Sequence, residues 1–183
     1  MKKVLLLITI SVLCMIAGST AFAQIEQLSK LDIKAIQKMQ FIETGTSVMM
    51  KNVFVFVNKG LTDVKLRNAE FEVSLKTDDK EFYIGKGKFD ELVFQAAEQK
   101  EDSIVPYEFK PELEIKIGPK NDETTQKLMT LFNIIGNPDV SFTLLLKGTS
   151  EVGLKGEKGW LYQTGFAVEF EFKPKYQRTV LFE

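Results

Sequence analysis

The chain alternates apolar and polar residues along most of its length. Phe71, Val73 and Leu75 alternate with Glu70, Glu72, Ser74 and Lys76; Leu113, Ile115 and Ile117 alternate with Glu112, Glu114 and Lys116. Near the end, Phe166, Val168, Phe170 and Phe172 alternate with Ala167, Glu169, Glu171 and Lys173. A period of two predicts strands with one buried and one solvated face, the antiparallel pattern. Strands are expected near 32–43, 47–58, 67–76, 81–95, 103–117, 139–149 and 160–173, with a short last strand around Val180, Leu181 and Phe182. Pro106 and Pro111 remove ladder donors, so the 103–117 segment should be an edge strand or change sheets near Pro111.

Val53–Val57 is apolar on both faces, and so in part is Val140–Leu146, where Leu144, Leu145 and Leu146 run together; such strands need cover on both faces. The expected cover is a helix over about 123–135. Leu128, Leu131, Phe132 and Ile135 recur at helical spacing, widened by Met129 and Ile134. Asn121 or Asp122 suits its N-cap, Gly136 a left-handed C-terminal position, and Pro138 ends it. The stripe should pack on the sheet; an amphipathic lid meeting lipid or a partner is the other reading. Residues 24–31 form a brief helix or an extended lead-in. Turns fall at Asn58-Lys59-Gly60 and Thr77–Lys80, and the glycine-bearing stretch Glu151–Trp160 forms a hairpin.

The first 23 residues follow a different rule. Lys2 and Lys3 precede an uncharged apolar run from Val4 to Gly18, and Ala21-Phe22-Ala23 places small residues where a signal peptidase reads them. Residues 1–23 are therefore expected to be a signal peptide cleaved before Gln24. The run is shorter than the roughly 20 residues a spanning helix needs. Cys14 follows Leu13, whereas a lipidated cysteine needs a small residue before it. The expected location is the periplasm or cell envelope of a bacterium, with residues 24–183 forming one domain.

That domain contains no cysteine and no histidine. Disulfides, Cys or His nucleophiles, a His general base and Cys/His zinc sites are thereby excluded. Loss of Lys2 and Lys3 leaves a small acidic excess, which argues against nucleic acid. The remaining acid–base candidates are Asp78 with Asp79, Glu101 with Asp102, and Asp122 with Glu123. Neighbouring strand residues face opposite ways, so these read as solvated turn charges, and a calcium site at Asp78 and Asp79 lacks EF-hand spacing. Lys86-Gly87-Lys88 and Leu154–Gly159 match no phosphate loop and read as strand ends or turns. Ser103 has no histidine to activate it, although a Ser–Lys arrangement stays open. Trp160, the only tryptophan, is read as a half-buried strand residue, with a sugar-stacking platform as the alternative. An eight-stranded outer-membrane barrel has similar length and alternation, but the helix, the proline-broken strand and the few Tyr and Trp residues oppose it.

The segment VFVFVNKGLTDVKLRNAEFEVSLKTDDKEFYIGKGK, Val53 to Lys88, resembles the late embryogenesis abundant group 2 family, whose core is the WHy (water stress and hypersensitive response) domain. Asn58, Leu66, Ala69, Phe71, Val73, Ile84 and Gly85 fill that pattern, and the later helix and strand ending near Lys147-Gly148 follow the same order. The likeness spans roughly 32–172. The family often has Asn-Pro-Asn where this chain has Asn58-Lys59-Gly60. The resemblance implies an antiparallel immunoglobulin- or fibronectin-like β-sandwich with one covering helix. It also implies stress protection or envelope structure, and it carries over no functional residue.

The expectation is a non-enzymatic exported sandwich with no catalytic, cofactor or metal residues, which binds or stabilises an envelope component. The alternative is a carrier of an apolar or lipid ligand between sheet and helix, suggested by Phe54, Phe56, Phe132, Phe142, Phe166, Phe170 and Phe172. The partner is an unknown envelope protein or apolar ligand, without nucleic acid; peripheral membrane contact stays open.

Overall fold

A computed structural model describes residues 23–78 and 80–174. The expected signal peptide and last strand lie outside the described residues, apart from Ala23. The fold is mainly β and antiparallel, a sandwich-like sheet with a helix, as the alternation predicts. The strands are β1 (Leu31–Thr44), β2 (Ser47–Asn58), β3 (Val64–Lys76), β4 (Glu81–Phe94), β5 (Glu98–Lys100), β6 (Ser103–Val105), β7 (Tyr107–Phe109), β8 (Glu112–Pro119), β9 (Thr143–Gly156) and β10 (Gly159–Phe172). The helix α1 spans Asp122–Gly136, and residues 23–28 are also helical.

The main sheet runs β1-β2-β8-β4-β3-β9-β10, with β7 beside β2; β5 and β6 form a separate hairpin. β4 and β8 are joined only at Lys86–Lys116 and Gly87–Ile115. That short junction divides the sheet into two halves that face one another. Rings from both halves meet between them: Phe56 of β2 lies 5.1 Å from Phe170 of β10 and 5.7 Å from Phe94 of β4, centroid to centroid. The terminal strands β1 and β10 approach each other without a ladder. Both carry bulges, after Ile33 and Ile36 in β1 and at Gln163–Phe166 in β10, where Gly165 adopts φ +77°. Bulged edges resist pairing with another chain. The interior is apolar apart from Asn52 on the inner face of β2, while the outer face bears pairs such as Lys86–Glu72 and Lys147–Glu169. A lipid-spanning barrel has the opposite polarity.

The helix differs from its expected role. Asn121 Oδ1 accepts from the Thr124 amide at 2.9 Å and caps it as anticipated, and Leu131 and Ile135 are buried in the core. However, α1 joins the end of β8 to the start of β9 and closes that end of the sandwich. Its Lys127 Nζ donates to the Ile84 and Ile117 carbonyls, which fixes it there. Phe132 stays 40% exposed with its ring 4.8 Å from Phe41, and Met129 is 61% exposed. Gly136 is helical, and Asn137 is the extended C-cap.

The helix therefore does not cover the second face of Val53–Val57. Val55 and Val57 are buried away from the main core, in register with Ala35, Asp32 and Glu108. Lys51 pairs with Glu112 at 2.5 Å and Lys59 with Asp32 at 2.8 Å on this side of the molecule. Such long side chains cover apolar surface with their stems while their heads stay wet. The 103–117 segment is also corrected. It breaks into β6, β7 and β8; the sheet changes at Pro106, and β8 is interior, between β2 and β4. Near Pro111 the chain stays with β2, whose Phe54 amide donates to the Pro111 carbonyl at 3.1 Å.

Candidate functional site: a cleft at the end opposite the helix

At the other end of the sandwich a cleft of about 670 Å³ opens between the body and the β5–β6 hairpin. Its floor is set by Asn58, the last residue of β2, which is 0% exposed. Asn58 Nδ2 donates to the Thr62 carbonyl at 3.0 Å and the Gln95 carbonyl at 2.9 Å, while Oδ1 accepts from the Gly60 amide at 2.8 Å. One side chain thus ties the β2–β3 turn to the end of β4. The same turn delivers Asp63. Its carboxylate accepts from the Ala96 amide at 2.7 Å and from Lys155 Nζ at 2.9 Å. Burial pushes this carboxyl up, but the Lys155 and Ala96 hydrogen bonds outweigh it and hold it below the usual aspartate value.

One wall comes from the β9–β10 hairpin, where Trp160 stands opposite Lys155 in register. Trp160 stacks on Tyr162 with centroids 6.4 Å apart. Gly153 makes this arrangement possible, because a Cβ there would lie 2.6 Å from Tyr162 Cε1. Lys65 Nζ sits 4.7 Å from the Trp160 centroid, and the Arg67 guanidinium carbon 4.3 Å from that of Tyr162. Glu91 accepts from both cations at 3.0 Å. Its carboxyl is held below the usual glutamate value, first by the Lys65 hydrogen bond and then by Arg67. The aromatic pair is therefore braced on a charged lattice rather than left loose.

The other wall is of a different kind. All six ladder residues of β5 and β6 are exposed, and they pair only with each other. A lone two-stranded hairpin is marginally stable. It is held at its roots, where the Ala97 amide donates to the Gly60 carbonyl at 2.8 Å and Tyr107 joins β2 beyond Pro106. Ile104, 52% exposed, lies near its tip, and Val105 and Tyr107 line the cleft. Tyr107 stacks on Phe109 at 6.1 Å.

The carboxylates singled out in the sequence are not brought together. Asp78 lies in the β3–β4 turn, and Asp79 is outside the described residues. Glu101 and Asp102 form the tip of the β5–β6 hairpin, and Asp122 and Glu123 open α1. Among the described residues, no group of three His, Cys, Asp or Glu is arranged to hold a metal. Ser103 is an exposed hairpin residue. Lys86-Gly87-Lys88 is not a strand end but the middle of β4, and Leu154–Gly159 closes the β9–β10 hairpin. Trp160 lines the cleft together with Lys155 of the Leu154–Gly159 stretch, whereas Asp78 lines a separate hollow of about 600 Å³ with Phe142 and Lys173, and Lys86, Gly87 and Lys88 line one of about 900 Å³ over Phe71 and Gly148. Sequence reasoning missed Asp63, Glu98 and Tyr107 and read Lys155 only as part of a strand end or turn; Pro106 was the available signal, since it separates hairpin from sheet.

No protein-family model matches the chain, and no curated protein is similar to it. Among solved structures, a protein from Archaeoglobus fulgidus is 9% identical, covering 79% of this chain and 98% of its own, with a TM-score of 0.32. The X-ray structure of a structural genomics consortium target is 10% identical, covering 76% of this chain and 84% of its own, with a TM-score of 0.29. Neither similarity carries a function to this chain.

Proposed function

We propose that the protein is a non-catalytic, exported binding module that holds or stabilises another component of the bacterial envelope through the Trp160–Tyr107 cleft. The observation that carries this reading is the asymmetry of the cleft. A hydrogen-bonded floor and a braced aromatic wall face a hairpin that is secured only at its roots. Preorganised walls lower the ordering cost of binding. The lack of cysteine and histidine in residues 24–183 supports a binder over an enzyme. Export rests on Lys2, Lys3 and Ala21-Phe22-Ala23, and the stress-related part on the resemblance to the late embryogenesis abundant group 2 family.

The carrier reading has less support. Between sheet and helix, where that ligand was expected, Leu131 and Ile135 are buried in the core, and between the sheet halves Phe56 lies within 6.4 Å of the rings of Phe54, Phe89, Phe94, Phe109 and Phe170, so side chains occupy both spaces. The test compares envelope complexes recovered with the wild-type protein and with Trp160→Ala and Tyr107→Ala. A component held by the wild type and released by both folded variants is expected. Equal recovery by all three places the binding elsewhere.

A further inference from the structure

The cleft carries a charge imbalance that its internal contacts leave in place. Asp63, Glu98 and Glu108 line it against one lysine, Lys155. Lys155 is occupied by Asp63 at 2.9 Å. Glu108 meets Lys34, which belongs to β1. The Glu98 carboxylate has no ion-pair or hydrogen-bond partner among the described residues, although Glu98 lines the cleft that Tyr107 and Trp160 also line. An uncompensated carboxylate costs little in open water, so charge alone would mean nothing. Here it shares a concave surface with Trp160, Tyr107, Val93 and Pro106. Aromatic faces attract cations through their quadrupole, and more strongly when solvent is reduced. The molecule already shows this chemistry on the same wall, where Lys65 lies over Trp160 and Arg67 over Tyr162.

We infer that the cleft takes an organic cation, an alkylammonium or guanidinium group seated between Tyr107 and Trp160 with its charge toward Glu98. This rests on the proposed binding role of the cleft and names the chemistry it selects. The β5–β6 hairpin supplies the closing wall. It carries Glu98 at one root and Val105 at the other, so carboxylate and apolar wall stand side by side along the cleft. The aliphatic stem of a lysine or arginine fits against Pro106 and Val105. A free quaternary amine or a choline headgroup offers the same charge without that stem.

Trp160 is the only tryptophan, so its fluorescence reports on the cleft directly. Purified protein is titrated with Gly-Lys-Gly, Gly-Arg-Gly, tetramethylammonium and phosphocholine at constant ionic strength, with acetate and N-acetylglucosamine as controls. A saturable change with the cations and none with the controls is expected. Glu98→Gln and Tyr107→Ala should each weaken it by about tenfold, the size of a partly desolvated cation–aromatic contact. Glu123→Gln, on the helix at the far end, should leave it unchanged. Tighter binding of the peptides assigns the cation to a protein side chain; tighter binding of the quaternary amines assigns it to a small amine or headgroup. A response to N-acetylglucosamine alone, or a cation response unaltered by Glu98→Gln, overturns the inference. If cations fail while Trp160→Ala still releases an envelope component, the binding role stands and only the ligand class falls.

Discussion

Asn52 sits where a leucine would be expected. It lies on the inner face of β2, in register with Met39 on β1 and Leu113 on β8, and is 1% exposed. Neither Nδ2 nor Oδ1 has a hydrogen-bond partner. The amide offers two donors and an acceptor with two lone pairs, all withdrawn from water. A buried polar group left unsatisfied costs about 1–3 kcal/mol. Leucine has nearly the same shape and places a branched apolar end among Met39 and Leu113. Asn52→Leu should therefore stabilise the fold by about 1–3 kcal/mol, which for a domain of this size is a rise in Tm of about 2–4 °C per kcal/mol. Urea melts at pH 7 read this as a higher midpoint at unchanged slope. Asn52→Asp is the opposing control and should destabilise strongly, because an unpaired carboxylate replaces the amide. A loss of stability in Asn52→Leu would refute the reasoning and show that the amide bonds to a group or buried water in solution.

Val168→Asp should unfold the domain in plain buffer, since Val168 is buried in the core, whereas Glu169→Lys on the outer face should change stability by less than about 1 kcal/mol; equal urea midpoints for the two would contradict a one-sided β10. Phe132→Ala should cost only about 1 kcal/mol, the scale of one aromatic pair, because the ring is half in solvent against Phe41; a loss near 4 kcal/mol in the same melt would bury it after all. Asp63 has a folded pKa below its unfolded one, so its contribution is present above the ordinary aspartate value and is lost as pH falls through the folded pKa. Melts of Asp63→Asn from pH 7 to 3 should accordingly approach wild type at the acid end; a constant difference would remove the Lys155–Ala96 explanation.

The strands and helix were legible because they follow local periodicity. The alternation around Phe71 and Phe170 depends only on which side of a pleat is wet, and the α1 N-cap at Asn121 on residues three apart. What was not legible depends on where distant segments meet. The Leu128–Ile135 stripe predicts a buried face but not that α1 lies across a sheet end, which leaves Phe132 and Met129 at its margin. Pro106 and Pro111 look alike in sequence; only the first divides two sheets, since β7 and β8 both return to β2. Asp63, Glu98, Tyr107 and Trp160 come from four separate segments with no common motif. Asn58 stood in the family pattern, and its bonds to Thr62 and Gly60 are local to the turn, but the one to the Gln95 carbonyl is set by the end of β4, far along the chain.

The binding role of the cleft is tested most directly by a photo-crosslinking residue placed in living cells at position 104, on the β5–β6 hairpin, and separately at 129, on the exposed helix face. An adduct from 104, absent when Tyr107→Ala is added, and none from 129 is the predicted result. An adduct from 129 with none from 104 contradicts it and moves the partner to α1.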